Sequence, residues 1–396
     1  MDRVILHCDC NSFFASCETV LDPSLKNVPM AVCGDPENRH GIILAKNELA
    51  KRYDITTAET IYQAKKKCPQ LVLVRPHRGL YQEFSQKCNA IYRDYTDMVE
   101  PFGIDESWLD VTHSRLLFGT GPEIADAIRR RFREELGLTC SVGVSFTKSF
   151  AKLGSDYKKP DATTVITREN FRDIVWPLPV SALLFAGKAI TEELKKMMLF
   201  SIGDLAQADR DFVVRRLGKG GALLHDYANG IDDSPVETIY AEHEQKSVSA
   251  AITFRRDLVT EEDIRRGLMT VAEELSGRMR RHGIQCTTLT LTIRYPDFSS
   301  KNKQMVLFHP TMLQKELTDA AVNLLHELHT SGRPIRLLSL AGSHLVSGDF
   351  SAMQLSLFDD PSRHDKQSSA EEAVAGIREK YGLDAVSIGG LMNKDF

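Results

Sequence analysis

Hydrophobic periodicity changes twice along the 396-residue chain, and this constrains its fold more than any other feature. Up to about residue 165, short apolar runs alternate with segments of helical spacing, which predicts a mixed α/β domain. Residues 177–231 are typical of short helices interrupted by glycines. Residues 246–350 then follow the order β-α-β-β-α-β of a split β-α-β sandwich. The predicted fold class is therefore α/β, and more narrowly α+β in several domains.

Composition and charge exclude a protein that binds polyanions by bulk positive charge, and they argue against a membrane span. The chain carries 50 basic and 54 acidic side chains, a formal charge of −4, so bulk positive charge does not hold it to nucleic acid or to a membrane surface. Residues 245–350 alone are net positive, with 14 basic against 11 acidic side chains. No stretch approaches 18 uninterrupted apolar residues, and the first 14 residues lack a secretory pattern. We therefore expect no membrane contact and a cytoplasmic location.

The eight cysteines form no Cys-x-x-Cys pair, and seven of them lie in the first 140 residues. Structural zinc requires ligands at finger-like spacing, and disulfide scaffolds are small, secreted and dense in cysteine. Neither pattern is present, so the sequence predicts free thiols in a reducing compartment.

Three carboxylates stand near predicted strand ends. Asp9 follows a predicted strand at 4–8, and Asp105 and Glu106 lie in a predicted hairpin at 99–111. If the first strand pairs with that hairpin, the three side chains converge and can hold two divalent cations. Such a pair of metal ions clamps the attacking and leaving oxygens of a phosphoryl transfer. Acidic residues are also common turn formers, so the spacing alone leaves both interpretations open.

Four short motifs lie in a fixed order along the first 160 residues. They are Asp-Cys-Asn-Ser-Phe-Phe-Ala-Ser-Cys-Glu at 9–18, Gly-Ile-Asp-Glu-Ser-Trp-Leu-Asp at 103–110, Ser-Val-Gly-Val-Ser at 141–145 with Phe-Ala-Lys at 150–152, and Lys-Pro at 159–160. In order and approximate spacing they resemble the Y-family, or translesion, DNA polymerases, and most closely the bacterial DNA polymerase IV branch. The resemblance covers about residues 1–350.

The resemblance implies a domain organisation that agrees with the changes of pattern along the chain. The expected parts are a palm with a mixed sheet (1–10 and 76–165), small fingers (11–75), a helix-hairpin-helix thumb (166–233), a linker (234–245), a β-α-β-β-α-β little finger (246–350) and a tail (351–396).

The resemblance also implies a reaction, the attack of a primer 3′-hydroxyl on the α-phosphate of a deoxynucleoside triphosphate. The catalytic metal ligands would be Asp9, Asp105 and Glu106 with the main-chain oxygen of Cys10, and they would hold two Mg²⁺ ions, for which Mn²⁺ is a possible substitute. The residues expected to contact the nucleotide are Phe13, Phe14, Asn47, Lys51 and Lys159. Among them, Phe14 matches the aromatic steric gate that leaves no room for a 2′-hydroxyl, and Lys159 matches a lysine that binds the triphosphate.

One stretch departs from the family's pattern. Relatives often carry Tyr and Arg in the fingers helix to bind the β- and γ-phosphates, whereas this chain has Glu48 and Lys51. A lysine keeps the positive charge but lacks the bidentate fork of arginine. A glutamate beside a triphosphate is repulsive unless it pairs with Lys46, Lys51 or Arg52 or faces a metal, so the role of Glu48 stays open.

Contacts to primer–template DNA are expected from glycine-rich turns of the thumb and from basic residues of the little finger. These residues are Gly187, Lys188, Gly218, Lys219, Gly220, Arg255, Arg256 and Arg294. The tail peptide Gln354-Leu355-Ser356-Leu357-Phe358 resembles the segment by which bacterial polymerases bind the sliding clamp, with Leu357 and Phe358 in an apolar pocket. We expect a monomer whose partners are DNA, deoxynucleoside triphosphates and the clamp.

Two other functions stay open on the residues alone. A nucleotidyl cyclase also uses a palm-like sheet with two carboxylate clusters and two metal ions, but it needs neither a duplex-binding thumb nor a clamp peptide. A non-catalytic DNA-binding adaptor recruited by the clamp would not need all three carboxylates. Together with these features, the resemblance implies a low-fidelity DNA polymerase that bypasses damaged template bases.

Overall fold

The chain divides into two units, Met1–Glu242 and His243–Phe396. The structure is a computed structural model that describes residues 2–35, 41–241, 244–329, 332–347, 361–382 and 385–386.

The first unit alternates strands and helices up to residue 166 and is helical beyond it. Its strands are β1 (Ile5–Cys10), β2 (Met30–Cys33), β3 (Ile43–Lys46), β4 (Val72–Val74), β5 (Val99–Pro101), β6 (Glu106–Asp110), β7 (Cys140–Ser145) and β8 (Thr163–Ile166). Its helices are α1 (Phe13–Leu21), α2 (Glu48–Lys51), α3 (Ile61–Lys67), α4 (Arg78–Arg93), α5 (Arg115–Phe118), α6 (Gly121–Arg131), α7 (Lys148–Tyr157), α8 (Phe171–Val175), α9 (Lys188–Lys196), α10 (Ile202–Gln207) and α11 (Arg210–Ala228).

The central sheet of the first unit has the strand order β5–β6–β1–β7–β8. β1 runs antiparallel to both β6 and β7, while β7 and β8 are parallel. Every residue of β1 is buried. Because side chains alternate across a strand, Leu6, Cys8 and Cys10 pack into the core with α4 and α6, whereas Ile5 packs on the opposite face with Ala151 of α7. The odd-numbered residues of β1, Asp9 included, therefore belong to the face that carries α7.

A smaller sheet and a helical cluster complete the first unit. The smaller sheet has the order β3–β2–β4 and its own core under α3. Helices α8 to α11 surround a separate apolar cluster. The glycine-rich stretch at 217–221 is predicted to be a turn between helices, and the helical backbone does break there: α11 consists of two helical segments that meet at a kink at Gly218 (φ 61°, ψ −143°). A positive φ is accessible to glycine at little cost, so the kink is placed by this residue.

The second unit has the β-α-β-β-α-β order predicted from its sequence, which confirms that expectation. Its elements are β9 (Ser247–Leu258), α12 (Glu261–His282), β10 (Ile284–Arg294), β11 (Ser300–Thr311), α13 (Gln314–Leu328), β12 (Ile335–Ser347) and, after the sandwich, α14 (Pro361–Tyr381). The sheet is antiparallel throughout, with the order β11–β10–β12–β9, and it shares a core with α12 and α13.

The C-terminal helix differs from its prediction. The sequence predicts an amphipathic helix within 370–392 with Val374, Ile377 and Tyr381 on one face. In the structure α14 begins earlier, at Pro361, and ends at Tyr381. Ile377 and Tyr381 are exposed, so the apolar stripe is not buried as an amphipathic helix would bury it.

Across the described ranges, no helix is both long enough and apolar enough to traverse a bilayer.

The contact between β7 and α7 predicts the effect of one substitution. A Cβ atom at Gly143 would lie 2.6 Å from the main-chain nitrogen of Ser155, and closer still to the carbonyl oxygen of Ala151. Because both atoms are backbone, we expect Gly143→Ala to lower the free energy of unfolding by about 3 kcal/mol. Urea denaturation of the full chain measures this change.

Gly79 provides the control, since nothing lies within 4 Å of a Cβ atom built there in α4. Gly79→Ala is expected to leave stability within about 1 kcal/mol of the parent. Equal stability of the Gly143→Ala and Gly79→Ala variants would contradict the close approach of α7 to the sheet.

Candidate active site

Most of the residues predicted at the catalytic and nucleotide sites line one pocket of the first unit. The lining residues are Asp9, Cys10, Asn11, Ser12, Phe13, Phe14, Leu44, Ala45, Lys46, Lys51, Thr57, Ile104, Asp105, Glu106, Lys152 and Lys159. The pocket lies where β1 ends, between the loop that precedes β6 and the two lysines of α7 and its following loop.

The register between β1 and β6 brings the carboxylates together. Asp9 lies directly opposite Glu106 in the antiparallel pair. The main-chain N–H of Cys10 donates to the carbonyl oxygen of Asp105 at 2.9 Å, so the adjacent acidic residue is tied to the same strand end. Asp9 is buried, and the other two carboxylates are half-buried.

Two lysines contact these carboxylates. The Nζ of Lys152 donates to Asp9 Oδ2 at 3.0 Å and to Glu106 Oε2 at 2.6 Å. The Nζ of Lys159 lies 2.8 Å from Asp9 Oδ1 and 2.7 Å from Asp156 Oδ1. Lys152 belongs to a predicted motif, but sequence reasoning assigned it no role. The carboxylates and the lysines together form a dense cluster of opposite charges.

The pKa values of Asp105 and Glu106 are shifted in opposite directions, because the two carboxylates have different neighbours. Burial, reinforced by the negative charges of Asp9 and Glu106, raises the pKa of Asp105 to about 6. Burial also opposes ionisation of Glu106, but its interactions with His7 and Lys152 outweigh this effect and lower the pKa of Glu106 to about 2. In the described part of the chain, no lysine or arginine forms an ion pair with Asp105. The cluster is therefore short of positive charge at Asp105.

His7 is a part of the site that sequence reasoning missed. It is fully buried on the same face of β1 as Asp9, and its Nδ1 lies 2.9 Å from the hydroxyl of Ser155. Its Nε2 lies 3.4 Å from Glu106 Oε2. Burial lowers the pKa of the imidazole. His7 and Asp9 are two residues apart on a predicted strand, so their side chains lie on the same face. This spacing could have identified His7 from the sequence.

The donor atoms present suit a divalent cation. Ligand atoms of His7, Asp9 and Glu106 all lie within 4.8 Å of one another, and Asp105 adds a further carboxylate at the same pocket. Carboxylate oxygens are the ligands that Mg²⁺ and Mn²⁺ prefer. The pocket also holds two lysine ammonium groups against these oxygens, as expected of a cluster whose negative charge requires cations.

The two adjacent phenylalanines occupy different environments. Phe13 is only 3% exposed and packs in the core, although it also contributes to the lining of the pocket, so its contact with a nucleotide stays a prediction. Phe14 is half-buried, and its ring stacks on that of Tyr81 with centroids 4.2 Å apart and planes 13° from parallel. The hydroxyl of Tyr81 donates to the buried carboxylate of Glu18, which also accepts from the main-chain N–H of His77. Sequence reasoning did not find this support for Phe14.

Two of the predicted nucleotide contacts, Asn47 and Lys51, lie at α2 but occupy different environments. The side chain of Asn47 caps α2 by accepting from the main-chain N–H of Ala50 at 2.9 Å, and it does not line the pocket. Lys51 does line the pocket, and its Nζ lies 2.5 Å from Glu48 Oε1. The hydroxyl of Ser12 donates to the same oxygen at 3.1 Å. Glu48 is thus paired with Lys51, one of the arrangements that relieves its repulsion toward a phosphate.

Asn11 connects β1 to the loop that carries Lys159. Its Nδ2 donates to the hydroxyl of Ser141 at 2.9 Å, and its Oδ1 accepts from the main-chain N–H of Asp161 at 2.8 Å. The adjacent Ser12 is the N-cap residue of α1, but its side chain makes no capping hydrogen bond there. The polar groups of Asn11 and Ser12 instead stabilise the walls of the pocket.

The residues predicted to contact DNA lie on both units and are largely exposed. Gly187 is the N-cap of α9 and Lys188 its first residue. Lys219 is exposed and Gly220 half-buried beside the kink at Gly218, and Arg255 is exposed on β9. Among the remaining arginines, Arg256 pairs with Asp263 at 2.8 Å and Arg294 Nε donates to the hydroxyl of Ser300 at 3.2 Å. The predicted clamp residues Gln354, Leu355, Leu357 and Phe358 lie outside the described residues.

Comparison with known proteins identifies the class. The impB/mucB/samB family matches residues 8–156, and the C-terminal domain of that family matches residues 245–357. A solved chimera of Y-family DNA polymerases has the same fold, with a TM-score of 0.77 over 87% of this chain and 99% of its own, at 22% sequence identity. The chain therefore belongs to the impB/mucB/samB family.

Curated relatives narrow the class further. DNA polymerase IV of Acetivibrio thermocellus is 44% identical over 392 residues, which span 99% of this chain and 98% of that protein. DNA polymerase IV 2 of Bacillus subtilis is 35% identical over 392 residues, which span 97% and 93%. These findings confirm the family, the fold class and the DNA polymerase activity predicted from the sequence motifs.

The Glu48–Lys51 pair yields a prediction about nucleotide affinity. Glu48→Ala removes the negative charge that pairs with Lys51 and releases its ammonium, at the pocket, for a phosphate. Because both side chains are exposed, we expect KM for the incoming deoxynucleotide to fall by only about twofold to fivefold, with kcat little changed. Steady-state single-nucleotide incorporation measures both constants.

The matched control is Glu83→Ala, which breaks a comparable exposed pair with Lys87 at 2.7 Å on α4. This variant is expected to keep the KM of the parent. A higher KM in Glu48→Ala would indicate that the glutamate assists binding and would contradict the interpretation.

Proposed function

We propose that the protein is a template-directed DNA polymerase of the translesion type, which extends a primer 3′ end with deoxynucleotides at low fidelity opposite damaged bases. The observation that carries the proposal is the convergence of Asp9, Asp105 and Glu106 with Lys159 in one pocket, in a chain of the impB/mucB/samB family.

The proposed cofactor is a pair of Mg²⁺ ions, with Mn²⁺ as a possible substitute. Asp9, Asp105 and Glu106 would hold them, together with the main-chain oxygen of Cys10. When bound, the ions activate the primer hydroxyl and offset the negative charge that develops on the phosphates. In support, ligand oxygens of Asp9 and Glu106 lie within 4.8 Å of each other, and Asp105 lines the same pocket.

The residues of the chain have separate roles in this proposal. Lys159 exchanges its contact with Asp9 for the triphosphate and neutralises the pyrophosphate as it leaves. Lys51 binds the outer phosphates, in competition with Glu48. Phe14, supported from behind by Tyr81, lies under the sugar and excludes a 2′-hydroxyl by steric overlap.

The remaining proposals concern architecture and partners. We assign the first unit to the palm, fingers and thumb and the second to the little finger, with the boundaries predicted from the sequence. Primer–template DNA would contact α9, the kink of α11 and the basic residues of the second unit. The peptide at 354–358 would bind the sliding clamp, and the protein would act as a monomer in the bacterial cytoplasm.

Primer extension with Mg²⁺ tests the proposed function. We expect the parent to extend a primer and the Asp105→Ala/Glu106→Ala variant to lose at least about a thousandfold in rate, because the metal ligands are removed. Asp156→Ala is the control, since Asp156 contacts Lys152 and Lys159 but is not a proposed ligand. It should keep most of the activity.

Two results would contradict the proposal. A parent protein that binds duplex DNA without extending it would instead be an adaptor. Extension at the parental rate by the double variant would remove the carboxylates from the mechanism.

The stacked ring of Phe14 predicts the basis of sugar selection. Phe14→Ala opens the space above Tyr81, so we expect discrimination against ribonucleotides to fall by about tenfold or more. The ratio of kcat/KM for deoxy- and ribonucleotides measures this discrimination. Phe84→Leu alters a buried phenylalanine that does not line the pocket and is expected to leave the ratio unchanged. Unchanged discrimination in Phe14→Ala would show that another residue selects the sugar.

A further inference from the structure

Lys152 occupies the space between two of the proposed metal ligands. Its ammonium lies 3.0 Å from Asp9 Oδ2 and 2.6 Å from Glu106 Oε2, and its side chain is 17% exposed. Lys152 extends from α7, whose backbone packs directly on β7 at Gly143. Its position is therefore determined by the core of the unit and not by a loop.

Lys159 makes a different set of contacts. It lies beyond the end of α7, is 31% exposed, and pairs with Asp9 through the other carboxylate oxygen. It can leave for a triphosphate while Asp9 keeps its contact with Lys152. The mechanism proposed above uses Lys159 in this way and leaves Lys152 without a role.

The ammonium of Lys152 has two opposing effects: it stabilises the pair of carboxylates, and it weakens their binding of a metal ion. Asp9 and Glu106 face each other across a strand pair, and like charges at that distance repel unless a cation lies between them. The ammonium supplies that cation. A divalent ion that binds the same oxygens must displace the ammonium or accept a positive charge beside it, and either event weakens metal binding.

We propose that Lys152 is a positioning residue that acts as a resident counter-ion for the metal site. It holds Asp9 and Glu106 side by side in the metal-free protein and competes with the first divalent cation for their oxygens. The phosphates of an incoming nucleotide offer Lys152 another acceptor and offer the cation further ligands. Metal binding and nucleotide binding are thereby coupled, so the site fills when substrate arrives.

Mn²⁺ binding to the full chain tests this inference without any catalysis. The concentration of free Mn²⁺, followed by electron paramagnetic resonance, gives the dissociation constant with and without a non-hydrolysable deoxynucleotide. We expect Lys152→Met to bind Mn²⁺ about tenfold more tightly than the parent in the absence of nucleotide. The increase in affinity caused by the nucleotide should shrink by a similar factor.

Lys148→Met is the matched control. Lys148 lies one turn earlier on α7, is 12% exposed, and pairs with Glu100 at 2.6 Å, away from Asp9 and Glu106. It should bind Mn²⁺ as the parent does. Lys152→Arg retains the positive charge and should also keep the weak binding of the parent, whereas the neutral Lys152→Gln should resemble Lys152→Met.

Thermal unfolding in EDTA and in Mn²⁺ provides a second measurement. The neutral variants should unfold at a lower temperature than the parent in EDTA, because Asp9 and Glu106 then repel, and should gain more stability from Mn²⁺. Mn²⁺ binding by Lys152→Met and Lys152→Gln that is equal to or weaker than that of the parent would overturn the inference.

The inference rests on the proposed metal site, and the two can fail separately. Primer extension by the parent together with unchanged Mn²⁺ affinity in the Lys152 variants overturns only the role of Lys152. A parent that binds no Mn²⁺ overturns both.

Discussion

The pairing of β1 with β6 is the constraint on which the site depends. It places Asp9 opposite Glu106, and the hydrogen bond from Cys10 to the carbonyl of Asp105 adds the third carboxylate. A shift of one residue in this register would turn Asp9 into the apolar core beneath α4 and α6. The burial of Leu6 and Cys8 on that face is therefore what keeps the acidic face of the strand directed toward α7 and the pocket.

The same geometry creates an electrostatic problem that the fold solves with lysines. Carboxylates that are partly removed from water favour protonation, as the raised pKa of Asp105 shows, unless cations accompany them. Lys152 and Lys159 provide two such cations from α7 and its following loop. A site of this kind is preorganised for divalent cations and phosphates because its charges are already held by a rigid sheet and helix.

The parts of the site that could be predicted from sequence are those set by local pattern. Asp9 and the Asp105–Glu106 pair stand beside predictable strands, and the β-α-β-β-α-β order of the second unit follows from its periodicity. The support of Phe14 by Tyr81 was not predicted, because it joins residues 67 positions apart that only the packing of α1 on α4 brings together. Lys152 was missed for the same reason, since its partners Asp9 and Glu106 come from distant segments. The capping of α2 by Asn47 was not predicted either, and its contact with the nucleotide stays a prediction.

The central claim is that these carboxylates hold divalent cations together with a nucleotide, and anomalous diffraction tests it most directly. Crystals of the full chain would be grown with primer–template DNA, Mn²⁺ and a non-hydrolysable deoxynucleotide. The account predicts two manganese peaks bounded by Asp9, Asp105 and Glu106, in contact with the phosphates of the nucleotide. A bound nucleotide whose manganese peaks lie away from these side chains would contradict it.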